Sequence, residues 1–364
     1  MTGREAADCD PAKAPGELTY AKPRADVDKG SKMQRLSMLG VMAVFLGTFI
    51  VSTCYADTPK GWSGEWARTD FSEHAVPFDE ILSGGPQKDG ISSIDQPRFE
   101  RIYHLAMSPL PNDPVMSVEI NGDARAYTQS ILVWHEIVND TVGGMPLAVT
   151  YCPLCNMGAM FRRKVGGEVK TFGTIGKLRH SDQVMCACAT ESWWKQFDGR
   201  TIVDERTGTC WTVFPRAWSP SATSASAITT DWCSSRGIRP TGTMAGIPIL
   251  AMTTRPCPFL YRGDYDGPGT SLLRVVAVLG RDEAWSFDFL QKKLKVEVDD
   301  LVINWDPGQA SALDQDRIAE GRDVGTVTVQ RHLAGGEFKD VAYSVPFAFA
   351  FRAFNPDAPI RHFE

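Results

Sequence analysis

Cys152 and Cys155 stand two residues apart at the end of the apolar run "MPLAVTYC". Two thiols at that spacing can close a disulfide, share a metal ion, or act as nucleophile and resolving partner. Pro153 between them fixes φ and removes a competing amide donor, which favours a tight turn. Asn156 follows Cys155, whereas covalent haem attachment requires histidine there. A thioredoxin-like arrangement places a helix after the motif, but residues 156–170, "NMGAMFRRKVGGEVK", read as a hairpin around Gly166-Gly167. No Gly-x-Ser-x-Gly elbow or His-Glu-x-x-His pair supports a hydrolase.

A metal reading needs a third ligand, and His135 is the candidate. Ile131, Trp134, His135, Val138 and Val142 recur at helical spacing, so residues 128–142 are expected to be a helix ending at Gly143-Gly144. His135 then shares an inward face with Ile131, Val138 and Val142. A strand running up to Cys152 would bring the imidazole toward the sulfurs. Glu136 points about 100° away on such a helix and is a less natural ligand. Cys152, Cys155 and His135, with one position open, would suit a zinc or copper ion. The competing reading of His135 is a core histidine bonded to a carbonyl. For the cysteines two others stand open: a thiol-disulfide oxidoreductase with Cys152 and Cys155 catalytic, or a plain structural crosslink. Glu136, Asn139 and Asp140 read as helix surface, and Arg162, Arg163 and Lys164 as a solvated hairpin face.

The elements that must position these residues are mostly strands. "VMSVEINGDARAYT" alternates around Asn121-Gly122, a strong hairpin signal. Short strands follow in "ESWWKQFDGRTIVDE", turning at Asp198-Gly199, and again in "RVVAVLG", "DLVINWD", "GTVTVQR" and "VAYSVPFAFAFRAF". Trp193 and Trp194 point to opposite sides of a strand, so one ring is expected exposed. The fold class is α+β and β-rich, with antiparallel strands and hairpins, few helices, and one globular domain after an N-terminal signal or anchor segment.

The chain has 364 residues, 43% hydrophobic and 23% charged, enough for one sizeable core. A net charge of −6 without a long basic run argues against nucleic acid as a partner, though not against a small anion. Which protein or small molecule it meets is not written in the sequence. Residues 1–32 read as a disordered or mis-assigned extension. Residues 33–56 read as a signal peptide or membrane anchor: Lys29, Lys32 and Arg35 precede an apolar run from Leu36 to Cys54, with Ala56 before Asp57. The basic flank stays inside, so the domain is expected outside the cytoplasmic membrane, whether periplasmic, extracellular or anchored facing outward. Membrane contact then comes only from that segment if it is uncleaved. Export favours disulfides, yet without Cys9 and Cys54 seven cysteines remain, an odd number with no framework spacing.

"VEINGDARAYTQSILVWHEIVNDTVGGMPLAVTYCPLC" resembles domain-of-unknown-function family 3179, whose hallmark is Trp-His-Glu-Ile-Val-Asn-Asp followed by Thr-Tyr-Cys-Pro-Leu-Cys. The resemblance covers about residues 75–215 and 258–356 and implies an exported protein of unassigned activity. Two segments depart. Cys186-Ala187-Cys188 stands where the family reads Tyr-Asp-Arg. Residues 216–257 are Ser/Ala/Thr-rich without strand periodicity. Synonymous codons for Thr241 to Thr254, read from the third nucleotide, spell Gly-Asn-Tyr-Gly-Arg-Asn-Pro-Tyr-Leu-Gly-Tyr-Asp-Asp, which is the family's pattern. The segment 216–257 is therefore expected to be out of frame and poorly ordered.

Overall fold

Asn121 and Gly122 both adopt positive φ, 52° and 78°, the backbone of a primed two-residue turn. They join strands Pro114–Ile120 and Asp123–Thr128, paired from Val115↔Thr128 to Ile120↔Asp123 as the sequence predicts. The computed structural model describes residues 58–100, 110–204, 207–210, 212–213, 217–220, 231–233, 253 and 257–363. The extension and the signal or anchor segment lie outside the described residues, as does most of 216–257. Within the latter, strand Ala217–Pro220 pairs with Pro114–Ile120, and Asp231–Cys233 pairs with Asp123–Thr128 and Phe99–Glu100, although the sequence there shows no strand periodicity.

The architecture is β-rich and mostly antiparallel, as expected. Two five-stranded, two four-stranded, one three-stranded and one two-stranded sheet are formed by the described residues, beside four α-helices. One apolar core runs from Ile94 through the three-stranded sheet to Phe349 and Ala350, so both halves of the chain share it. No helix among the described residues is long and apolar enough to cross a membrane.

The stretch expected to be a helix up to Gly143-Gly144 divides instead. Helix Gln129–His135 stops at Glu136, whose φ is +57°, and strand Ile137–Val142 follows. Ile137, Val138 and Val142 are β-branched and suit a pleated strand. Gly143 and Gly144, at φ 53° and 82°, form a hairpin turn rather than a helix stop, and the next strand, Met145–Cys152, pairs back from Met145↔Val142 to Thr150↔Ile137. The helical spacing of Ile131, His135, Val138 and Val142 was a coincidence of one helical turn and one strand. Strand Met157–Arg162 completes the sheet on the other side. Leu147 to Cys152 are all buried, the continuous apolar run of a strand covered on both faces.

Two other expectations change for the same reason, the thoroughness of that cover. Neither tryptophan is exposed: Trp193 is 0% and Trp194 1% accessible. Trp193 packs against Trp62, Trp66 and Phe71 of the lead-in segment, and Trp194 against Phe172 on the opposite face. Arg163 is buried rather than solvated, donating from Nε to the Leu147 carbonyl, from Nη1 to that of Lys170 and from Nη2 to that of Asp140. It ties the hairpin Lys164–Val165/Glu168–Val169 to the central sheet by satisfying carbonyls the ladders leave over.

Candidate metal centre

Cys152 is the last residue of its strand and pairs with Met157, so Pro153 to Asn156 form a tight hairpin loop with both cysteines in or beside it. Asn156 closes the loop at φ +55°. The Tyr151 hydroxyl donates to Asn156 Oδ1 at 3.0 Å, and Asn156 Nδ2 donates to the Val345 carbonyl at 2.8 Å. The Phe347 amide donates to the Cys155 carbonyl at 2.8 Å, so the loop is pinned from the C-terminal half. A strand, not a helix, follows the motif, in line with the sequence reading.

A second hairpin faces it. Strands Phe172–Arg179 and Asp182–Ala187 are joined by His180 and Ser181 at φ 53° and 63°, a primed turn built without glycine. Non-glycine residues there cost free energy, and such backbone is retained where the surroundings fix it. Here Ser181 is fully buried and its hydroxyl donates to the Phe259 carbonyl. The turn delivers Asp182 to the cysteines: its Oδ1 lies 3.4 Å from Cys155 Sγ, while its Oδ2 accepts the Phe197 amide at 3.0 Å. Cys152 Sγ lies 3.4 Å from the Ser181 carbonyl oxygen. One donor atom from each of Cys152, Cys155 and Asp182 falls within 4.8 Å of the others. All three side chains are essentially inaccessible, at 1%, 0% and 0%.

His135 is not part of this group. Its Nδ1 lies 2.7 Å from the Ser92 carbonyl, an acceptor only, so Nδ1 carries a proton and donates it there. The helix breaks directly after it, at Glu136 with φ +57°, whose carboxyl is near enough to Asp182 to feel its charge. Gln183 Nε2 donates to Glu136 Oε2 at 2.8 Å. Asn139, expected on a helix surface, is buried, exchanging hydrogen bonds with the Phe172 backbone and donating to Asp95. His180 turns outward to a cleft, its Nε2 3.4 Å from Glu80.

The electrostatics are those of acids held away from water. Burial pushes Asp182 up to about 7, against the opposing Phe197 amide and Cys155 thiol. Burial, reinforced by the charge of Asp182, pushes Glu136 up to about 8. Burial and the neighbouring Cys152 thiol drive Cys155 well above the ordinary thiol range. Cys152 and Cys155 are both free thiols. The group can therefore stay protonated and neutral, or give up protons to a cation.

Sequence reasoning missed Asp182. The available signal was a carboxylate opening an otherwise apolar strand directly after His180-Ser181, a place where an unpaired charge is costly.

No curated protein and no solved structure matches the sequence. The family model described as a protein of unknown function, DUF3179, matches residues 88–358, which hold the whole of the Cys152, Cys155 and Asp182 group, and the chain belongs to that family.

Proposed function

We propose that this chain is an exported metal-holding module whose centre is formed by Cys152, Cys155 and Asp182, with zinc as the matching cation. The observation that carries the reading is the convergence of two thiols and one carboxylate, from two separate hairpins, within 4.8 Å of each other in a site closed to water. Tetrahedral zinc at its usual bond lengths separates a sulfur and an oxygen ligand by about 3.6 Å. The Cys155 to Asp182 separation is 3.4 Å. A carboxylate in the place expected for histidine also bears on the choice of metal. Copper(I) prefers soft ligands, whereas zinc accepts thiolate and carboxylate together.

Three donors leave a fourth coordination position, but burial of all three keeps bulk water from it, which suits a holding role better than turnover of a solvent-borne substrate. The cation would fasten the Cys152–Cys155 loop to the 180–182 turn, and so the central three-stranded sheet to its neighbour. Its uptake would displace the protons that burial keeps on Cys155 and Asp182. Protein thiol exchange through Cys152 or Cys155 fits less well, because such chemistry needs one accessible sulfur. The net charge of −6 gives no electrostatic footprint for nucleic acid.

The test is elemental analysis of protein purified without an affinity tag, together with its Cys155→Ala variant. Near-stoichiometric zinc in the parent, lost in the variant, is the expected result. Metal-free protein in which Cys152 and Cys155 have joined in a disulfide would overturn the reading in favour of the crosslink or the oxidoreductase.

A further inference from the structure

A second thiol pair lies apart from this centre. Cys186 sits inside strand Asp182–Ala187, opposite Gly173 on one side and Trp193 on the other. It is 1% accessible and belongs to the aromatic cluster of Trp62, Trp66 and Trp193. Cys188 follows the end of the strand and is partly exposed. Its position is fixed from both sides: its amide donates to the Thr171 carbonyl at 2.8 Å, and its carbonyl accepts Arg68 Nη2 at 3.0 Å.

The two cysteines adjoin the same gap: Gly173 pairs with Cys186 across the ladder, and its missing side chain borders the Cys188 sulfur. The neighbouring Cys186 holds Cys188 below the ordinary thiol range, although burial and the carboxylates Asp89 and Asp95 act the other way. The neighbouring Cys188, with burial, raises Cys186. Space for the Cys188 sulfur is left by a missing side chain: a Cβ at Gly173 would lie 3.2 Å from Cys188 Sγ and 3.0 Å from Asp89 Oδ1. A shared metal ion is not favoured here. The three-donor group among the described residues is the Cys152, Cys155 and Asp182 one, so this pair has no third ligand at the required distance. What remains is a partly exposed cysteine beside a buried one at the Gly173 gap, the arrangement of attacking and resolving thiols.

We propose that Cys188 and Cys186 are a dithiol–disulfide couple that exchanges with small external disulfides. The Cys188 thiolate attacks one sulfur of the external disulfide, forming a mixed disulfide and releasing the first thiolate. Cys186 then attacks the Cys188 sulfur, forming the Cys186–Cys188 bond and releasing the second. The two thiolates leave with the protons that Cys188 and Cys186 gave up. The protein is oxidised by two electrons and the external disulfide is reduced to two thiols.

Native full-length protein incubated with glutathione disulfide, quenched by acid and digested with trypsin tests this, because residues 180–195 form one tryptic peptide containing only these two cysteines. The wild-type peptide should lose two hydrogens. The Cys186→Ser variant should stop at one glutathione on Cys188, and Cys188→Ser should stay unmodified. A wild-type peptide that remains reduced or stops at the glutathione adduct, or a Cys188→Ser variant that takes up glutathione as fast as Cys186→Ser, would overturn the proposal. Alkylation of the native wild type needs no variant: iodoacetamide at neutral pH should label Cys188 at least tenfold faster than Cys186, and equal rates would count against the assignment.

Discussion

The Cys155 sulfur and the Asp182 carboxylate stand 3.4 Å apart, from hairpins 27 residues apart in sequence, with neither side chain reaching solvent. Charges so placed must be neutralised by protons or by a cation. Asp182→Asn keeps the shape and an oxygen that can accept the Phe197 amide, but removes the negative charge. Zinc affinity, measured by competition with a chromophoric chelator, should fall at least tenfold while the fold survives. An unchanged affinity would remove Asp182 from the ligand set.

Glu136 makes stability depend on pH in a direction opposite to that of a salt-bridged carboxylate. Its pKa is raised from 4.5 to about 8. Between those values the native state keeps a proton that the unfolded chain releases, so its contribution is present below the lower value and is lost as pH rises through the higher one. Each unit of pH in that window removes up to about 1.4 kcal/mol. Glu136→Gln is neutral throughout. In chemical denaturation, wild type should lose stability relative to the variant between pH 5 and pH 8. Parallel curves would show that Glu136 ionises normally.

How far the sequence reveals this site depends on whether the deciding interaction is local. The Asn121-Gly122 and Gly166-Gly167 turns were legible because the turn residues themselves set positive φ. So was the loop around Pro153, and with it the closeness of Cys152 and Cys155. The fate of residues 136–142 was not, because what makes them a strand is pairing with 145–150, and their apolar spacing suits helix and strand alike. Asp182 was hidden for a related reason: it reaches Cys155 only through the packing of one sheet on another. Arg163 shows the same limit, since its three carbonyl partners come from residues 140, 147 and 170.

His135 now carries a different expectation from the one its position near the cysteines suggests. With Nδ1 donating to the Ser92 carbonyl, it anchors the 90s loop to the end of helix Gln129–His135. His135→Ala should cost about 1–3 kcal/mol for the lost hydrogen bond and packing, and leave the zinc content of the folded protein unchanged. Loss of zinc from a folded His135→Ala protein would return the imidazole to the centre.

The turn Gly143-Gly144 offers a matched pair of substitutions that probes how the centre is positioned. Both glycines have positive φ, but a Cβ on Gly143 would lie 2.0 Å from the Ile120 carbonyl oxygen, whereas one on Gly144 meets nothing within 4 Å. Gly143 also donates its amide to Asp123 Oδ2 and accepts Asn121 Nδ2, both at 2.9 Å, so this turn leans directly on the first hairpin. Gly144→Ala should therefore cost only the left-handed penalty, about 1–2 kcal/mol. Gly143→Ala must separate the two hairpins or shift the register of strand Met145–Cys152, and a one-residue slip would turn Cys152 to the opposite face of its sheet. Thermal denaturation and zinc content measured together should show Gly144→Ala folded and loaded and Gly143→Ala deficient in both. Equal behaviour of the two would mean that the close approach to Ile120 does not set the strand that carries Cys152.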